Sequence, residues 1–193
     1  MTKILIIGDS ISMGYTPLVA ETLAGEATLR RSEGNAADSA HLLENVLDYL
    51  AADSDAALVH FNCGLHDIKR AFGSDRRQVP LVEYRKNLAE IVSRLAYRVP
   101  RVLWATTTPV LYDRHHAVKG FDRFEEDVAA YNAAAGEIAA AAGIGVSDLH
   151  AAIVAAGPEQ CLGPDGVHMT DKGNAVLAEA VTRTLRAHLG EAS

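Results

Sequence analysis

The feature that most constrains the fold is a regular alternation of short apolar segments with longer segments of helical periodicity. The apolar segments, each short enough for one strand, are residues 3–7, 27–30, 57–61, 101–106 and 144–146. The segments with helical spacing are residues 17–23, 37–50, 81–96, 122–142 and 171–189. Strands that alternate with helices predict a parallel sheet covered by helices on both faces.

Residues at the segment ends are typical of helix boundaries. Thr16 and Pro17 have the residue types preferred at an N-cap and at the first helical position. Gly143 is suited to a C-cap, and Thr170 to the N-cap of the last helix.

Length and composition predict a single domain over residues 1–193. Of its 193 residues, 49% are apolar, which is enough for a sizeable core. No run of 18 apolar residues is present, so no membrane-spanning helix is expected.

The apolar run at residues 4–7 is too short for a signal peptide, and Cys63 and Cys161 do not form a disulfide framework. We therefore expect reduced thiols and a cytoplasmic location, unless a leader has been removed.

The charge of the chain limits the class of partner. A formal net charge of −7 argues against nucleic acid, because phosphate binding requires a basic face. No Gly-rich phosphate-binding loop is present, which disfavours a nucleotide or flavin. The expected partner is a small molecule, with no membrane and no nucleic acid, and the oligomeric state is left open.

Polar residues follow several of the predicted strands. They are Ser10, the segments 62–67 and 106–109, and Asp148. The carboxyl ends of parallel strands meet at one edge, where ligands bind. We expect these residues to gather there, and His168 must reach the same edge.

Two short motifs at opposite ends of the chain carry the chemistry. Gly8-Asp9-Ser10 places a serine beyond the first strand, where nearby N–H groups can face an oxyanion. Asp165 lies three residues before His168, a spacing that lets its carboxylate reach Nδ1 of the imidazole. A serine needs a base to take its proton and a third group to orient that base. Alone, each motif is also compatible with an ordinary turn.

Together the motifs resemble those of the GDSL esterases, the SGNH hydrolase superfamily, over nearly the whole chain. The resemblance implies a flavodoxin-like three-layer α/β/α sandwich with a five-stranded parallel sheet in the order 2-1-3-4-5. It implies no metal and no cofactor. It also makes Ser10 the nucleophile, His168 the general base and Asp165 the partner that orients it.

Two further blocks of the family place the oxyanion donors. Gly34 is the best candidate for the glycine whose N–H faces the oxyanion. The family's Gly-x-Asn-Asp is here Gly64-Leu65-His66-Asp67, so His66 stands where the donor Asn is expected. An imidazole N–H also donates, but its charge depends on pH. Asn62 is too far upstream to replace that Asn, and we expect Asp67 to hold the loops through backbone N–H groups.

The other polar residues are assigned roles outside the reaction itself. Lys69 and Arg70 are interpreted as solvated, with contact to an anionic or sugar substrate as the alternative. Arg114, His115 and His116 are candidates for the substrate entrance, and Asp113 beside them makes a metal site conceivable. The residues taken as structural or surface are His41, His60, His150, His188 and Cys63.

The sequence therefore predicts a serine esterase acting on a small carboxylic ester through an acyl-serine intermediate. The resemblance points to a short acyl group, for example an O-acetyl group on a carbohydrate. One alternative is an acyltransferase that uses the same acyl-enzyme. Another is a flavodoxin-like binding module without activity, which the His66 replacement keeps open.

Overall fold

The computed structural model describes residues 1–189, which form five parallel strands in the order β2-β1-β3-β4-β5. The strands are β1 (Thr2–Ile7), β2 (Ala27–Arg31), β3 (Leu58–Phe61), β4 (Arg101–Ala105) and β5 (Gly145–Ser147). The helices are α1 (Ser10–Thr22), α2 (Ser39–Ala52), α3 (Leu81–Arg98), α4 (Tyr112–Val118), α5 (Glu125–Ala142), α6 (Leu149–Ala156), α7 (Pro158–Cys161) and α8 (Asp171–Leu189). The predicted flavodoxin-like sheet and its strand order are confirmed.

Helices cover the sheet in two layers. In one layer α1 packs against α8, and α8 also contacts α6 and α7. In the other layer α3 packs between α2 and α5. Within residues 1–189, no helix has both the length and the apolarity needed to cross a membrane.

The register of the central strands fixes the edge on which the polar residues meet. Ile7 of β1 pairs with Phe61 of β3, so the two strands end side by side. Both strands are buried on both faces, as expected for a covered parallel sheet. Gly8 and Asn62, the residues that follow, are therefore neighbours across the sheet edge.

The first helix begins earlier than the sequence pattern predicts. We expected Thr16 to cap a helix starting at Pro17, but α1 starts at Ser10 and contains Pro17. The cause is Asp9, whose carboxylate accepts the Ile11 N–H at 3.0 Å and caps the helix. Ser10 thus lies in the first helical turn rather than in a loop.

Three short helices were not predicted from the sequence. They are α4, α6 and α7, with 7, 8 and 4 residues. Such lengths are too short for a periodic pattern, and contacts distant in sequence position them. For example, the Leu111 N–H before α4 donates to the Gly166 carbonyl at 2.9 Å.

His60 lies inside β3 and is completely buried. Within residues 1–189 neither of its ring nitrogens has a hydrogen-bond partner, and the Tyr15 ring packs edge-on against it. Burial lowers the pKa of His60 from 6.5 to about 4, because the charged imidazolium would lose its hydration. His60 is a neutral core residue, in keeping with its predicted structural role.

We predict that His60→Leu makes the protein less sensitive to acid. The unfolded chain binds the His60 proton more readily than the folded chain between pH 6.5 and about 4, so the free energy of unfolding falls as pH falls through that range. The leucine variant should lose about 3 kcal/mol less than the wild type across it.

Denaturant titrations at several pH values measure this difference. The matched control is His41→Gln, which changes an exposed histidine on α2 and should keep the wild-type dependence. An unchanged acid dependence in His60→Leu would contradict the assignment.

Candidate active site

Ser10 is held at the carboxyl edge of the sheet by the turn between β1 and α1. The Asp9 carboxylate caps α1, and the Ser12 hydroxyl donates to the Asp9 carbonyl at 2.7 Å. Ser10 is the first residue of α1 and remains partly exposed. Its N–H is one of the donors that a helix leaves unpaired in its first turn, where negative charge is favoured.

Gly8 leaves room for the side chain of Asn62, which follows the neighbouring strand. A side-chain carbon at residue 8 would overlap Oδ1 of Asn62. Glycine is therefore required here because of this close approach. Asn62 itself is buried, with about 9% of its surface exposed.

His168 and Asp165 reach Ser10 from the other end of the chain. The Ser10 Oγ lies 2.9 Å from Nε2 of His168, and Nδ1 of His168 lies 2.6 Å from Oδ2 of Asp165. With the carboxylate accepting at Nδ1, the neutral imidazole carries its proton there and leaves Nε2 free to accept. The His168 side chain is 51% exposed, so the site opens to solvent.

The loop around Asp165 is ordered by the same carboxylate. Its Oδ1 accepts the N–H groups of Val167 and His168 at 3.1 and 2.9 Å. Its Oδ2 also pairs with Lys119 at 3.1 Å. Partial burial raises the pKa of Asp165, but the hydrogen bonds from His168, Lys119 and Val167 outweigh it and hold the pKa well below the ordinary value. Asp165 is therefore ionised at neutral pH.

His66 has a defined partner. Nζ of Lys69 lies 3.1 Å from Nδ1 of His66. An ammonium group can only donate, so Nδ1 accepts and the proton of the neutral ring lies on Nε2. Burial, followed by the charges of Lys69 and Arg123, lowers the pKa of His66 to about 4, although the nearby Asp9 opposes this. His66 is a neutral donor at physiological pH.

Asp67 joins two loops at the sheet edge. Both of its carboxylate oxygens accept the Ser39 N–H, at 2.9 and 3.1 Å, at the start of α2. Burial raises the pKa of Asp67 to about 6, because the charged form is desolvated. The carboxylate thus ties the His66 segment to the beginning of α2.

Gly34 lies in the loop between β2 and α2, two residues before the residue of that loop that contacts Gly8. It is exposed, and it is Ala36 whose N–H donates to the Gly8 carbonyl at 3.0 Å. Ala37 has a φ of 51°, a left-handed conformation that favours glycine, and its N–H donates to the Asn35 side chain. The assignment of Gly34 as an oxyanion donor stays a prediction.

Lys69 and Arg70 are not solvated, contrary to the main interpretation from the sequence. Lys69 is bonded to His66, and Arg70 is 6% exposed. Nε of Arg70 donates to Asp127 at 2.8 Å. A run of charged residues looks solvated in a sequence, but here a tertiary contact with Asp127 buries Arg70, and Lys69 is partly buried.

The three candidates for the entrance are engaged in separate contacts. Arg114 donates to the Leu162 carbonyl, and Nδ1 of His116 lies 2.7 Å from Asp122. His115 is buried, with Nδ1 3.2 Å from the Asp165 carbonyl. In the described residues, no three His, Cys, Asp or Glu side chains are grouped as metal ligands would be.

Two basic residues near the site were missed by sequence reasoning. Lys119 pairs with Asp165, and Nε of Arg123 donates to the Leu65 carbonyl at 2.6 Å. Neither belongs to a motif, and both lie between α4 and α5. Only the charge of the segment 119–123 signalled them, and charge alone does not show burial.

The fold and the site define an α/β esterase. The model of the GDSL-like lipase/acylhydrolase family matches residues 6–176, so the chain belongs to that family. It is an esterase or acylhydrolase of the GDSL/SGNH type.

Solved structures share the fold at low sequence identity. A lipase/acylhydrolase from Enterococcus faecalis is 21% identical, with 97% of each chain covered and a TM-score of 0.82. An acetyl xylan esterase variant from Geobacillus stearothermophilus is 20% identical, with 95% of this chain and 94% of that chain covered and a TM-score of 0.76. The α/β hydrolase LAE5 from the Lake Arreo metagenome has the same identity and coverage, with a TM-score of 0.77. No curated protein matches the chain in sequence.

We predict that Gly8→Ala destabilises the fold by about 1–3 kcal/mol, because the added carbon overlaps Asn62. Adding Asn62→Ala to this variant should restore part of the loss. Denaturant unfolding of both single variants and the double variant measures the coupling. Gly136→Ala in α5, where the added carbon meets no atom within 4 Å, is the control and should be stable. Purely additive effects would contradict the overlap.

We predict that Lys69→Met changes the protonation of His66. Loss of the cation should raise the pKa of His66 above 4, though not to its ordinary value, because burial is the larger cause. Loss of the donor at Nδ1 should also allow both neutral tautomers. Long-range ¹H–¹⁵N NMR of the histidine rings reports both properties as a function of pH. Lys86→Met, on the exposed face of α3, is the control. A wild-type His66 with its proton on Nδ1 would contradict the assignment of that proton to Nε2.

Proposed function

We propose that this protein hydrolyses a small carboxylic ester through an acyl-Ser10 intermediate. The observation that carries the proposal is the continuous chain of hydrogen bonds from Ser10 Oγ to His168 Nε2, at 2.9 Å, and from His168 Nδ1 to Asp165, at 2.6 Å. This arrangement has the nucleophile, base and orienting carboxylate of a serine hydrolase.

In the first half of the reaction, Ser10 Oγ bonds to the ester carbonyl carbon while its proton passes to His168 Nε2. The ionised Asp165 stabilises the imidazolium that forms. When the tetrahedral intermediate collapses, the bond to the alcohol oxygen breaks, and His168 gives the proton to the leaving alcohol. In the second half, water gives a proton to His168 Nε2 as it attacks the acyl carbon. The bond to Ser10 Oγ then breaks, Oγ takes that proton from His168, and the acid is released.

The developing oxyanion needs donors that are already in place. The Ser10 N–H in the first turn of α1 supplies one, and Nε2–H of His66 is proposed as a second. Gly34 is kept as the third candidate. A neutral His66 with a pKa of about 4 does not change its charge above pH 5, so it can replace an amide donor over the physiological range.

We infer that the acyl group is short and that the alcohol is bulky, for example an O-acetylated carbohydrate. Two features support this. His168 is 51% exposed, so a large alcohol can approach from solvent. Two structural neighbours are described as acetyl xylan esterases, although their identities are near 20%.

The open site also favours hydrolysis over acyl transfer. Transfer requires that water be kept from the acyl-enzyme, and a half-exposed base does not exclude it. We further propose a cytoplasmic location, which is supported by Cys63 and Cys161 being free and buried. Fractionation of cells expressing the full natural gene product tests the location.

We predict that Ser10→Ala lowers kcat for p-nitrophenyl acetate by at least about a thousandfold. Asp165→Asn should lower it by about 100- to 10,000-fold, because the amide no longer stabilises the imidazolium. Initial rates and a phosphonate that labels active serines measure these effects. Asp171→Asn, at the exposed start of α8, is the control for loss of one carboxylate.

Three outcomes separate the alternatives. Labelling of the wild type at Ser10 with turnover supports the esterase. Labelling with acyl transfer to an added alcohol that exceeds hydrolysis supports the transferase. Wild-type protein with neither turnover nor labelling would leave the binding module as the better description.

A further inference from the structure

Within residues 1–189, two cations near the site form no salt bridge. Arg123 is 5% exposed, and it forms no salt bridge within residues 1–189. Its Nε donates to the Leu65 carbonyl at 2.6 Å, whereas Nη1 and Nη2 hydrogen-bond to no atom in the same range. These nitrogens are not among the fully enclosed polar atoms, so they can be reached from solvent. A buried charge is costly unless it is paired.

Lys69 and Arg123 both contact the Phe121 ring. Nζ of Lys69 is 5.4 Å from the centroid of the Phe121 ring, and the Arg123 guanidinium is 4.9 Å from it. Burial and, after it, the positive charge of Arg123 lower the pKa of Lys69. Two like charges held over one apolar ring favour an anion between or above them.

Most of the carboxylate oxygens around this pair accept hydrogen bonds from other groups, whereas Oδ2 of Asp9 is buried and accepts none within residues 1–189. Asp9 and Asp38 cap α1 and α2, and Asp67 accepts the Ser39 N–H. Asp165 is bonded to His168 and Lys119. Within residues 1–189 none of them forms a salt bridge with Lys69 or Arg123, although the charges of Asp9 and Asp165 act on Arg123 at longer range and oppose the lowering of its pKa by burial.

The pair belongs to the proposed site. Leu65, which Arg123 holds, precedes His66, and Lys69 donates to His66. On the other side, the Phe121 ring packs at 5.3 Å against His115, whose Nδ1 lies 3.2 Å from the Asp165 carbonyl. The two cations therefore lie between the loop of His66 and the loop of the His168–Asp165 pair.

We propose that Arg123, assisted by Lys69, binds an anionic group of the substrate, a carboxylate or a phosphate carried by the ester. The planar guanidinium offers two terminal nitrogens as a fork that matches such a group. This inference rests on the proposed function, since it names a substrate class for that site. It explains why a chain of net charge −7 keeps unpaired cations here.

Two matched pairs of esters test the proposal and locate the anion. The alcohol-side pair is 4-acetoxybenzoate and its methyl ester. The acyl-side pair is 4-nitrophenyl hydrogen succinate and 4-nitrophenyl methyl succinate. The wild type should prefer the charged member of one pair by about tenfold or more in kcat/KM. Equal rates within both pairs would overturn the proposal.

Variants assign that preference to the guanidinium. In Arg123→Gln the preference should fall about tenfold or more, mainly through KM. Lys86→Gln, which removes one exposed positive charge from α3, should keep it. A fall of equal size for the charged and neutral esters in Arg123→Gln would show a different role and would also overturn the proposal. If Arg123→Gln does not fold, Arg123→Lys replaces it and should retain part of the preference.

Inhibition and binding keep this test separate from that of the esterase. Succinate or inorganic phosphate should inhibit wild-type hydrolysis of p-nitrophenyl acetate competitively, and neutral succinamide should not. In Ser10→Ala, 4-acetoxybenzoate should bind more tightly than its methyl ester by calorimetry. Hydrolysis through Ser10 without any of these preferences defeats only the anion site. Hydrolysis that survives in Ser10→Ala defeats the esterase mechanism, while the calorimetric comparison still decides the anion site.

Discussion

The junction between β1 and α1 determines where the other parts of the site must lie. Gly8 lets Asn62 pack against the end of β1, and the Asp9 carboxylate starts the helix at the next residue. These two contacts fix Ser10 at a helix N-terminus on the carboxyl edge of a parallel sheet. Asp165 and His168 come from the far end of the chain, and they reach Ser10 because α8 packs against α1.

Charge neutrality is a central requirement of the proposed oxyanion site. A histidine in place of an amide would protonate near physiological pH if it were solvated. Here Lys69 donates to Nδ1, and burial and the neighbouring cations lower the pKa of His66 to about 4. A positive residue thereby keeps its neighbour neutral and fixes its tautomer. The proposed oxyanion site would then have an alternative to the amide donor, and that alternative would depend on a residue three positions away.

The same cation joins this device to the proposed anion site. Lys69 contacts His66 on one side and lies with Arg123 over the Phe121 ring on the other. In these two proposals, substrate charge and oxyanion stabilisation are coupled through one ammonium group. An anion bound at Arg123 would partly neutralise the positive charge that lowers the pKa of His66. Binding of the anion would therefore raise the pKa of His66.

The sequence by itself determined the sheet, its flanking helices and the residues with nucleophile chemistry, because periodicity and short motifs are local properties. The long helices α3 and α8 began at the predicted residues 81 and 171. The early start of α1 follows from the local Asp9 cap, which the sequence pattern did not reveal, whereas tertiary structure alone decided the short helix α4 and the burial of Arg123. These depend on contacts between segments about 50 or more residues apart, such as Leu65 with Arg123, with |i−j| of 58. The identity of a residue does not show which distant residues it will contact. Its burial and protonation therefore follow only from the folded chain.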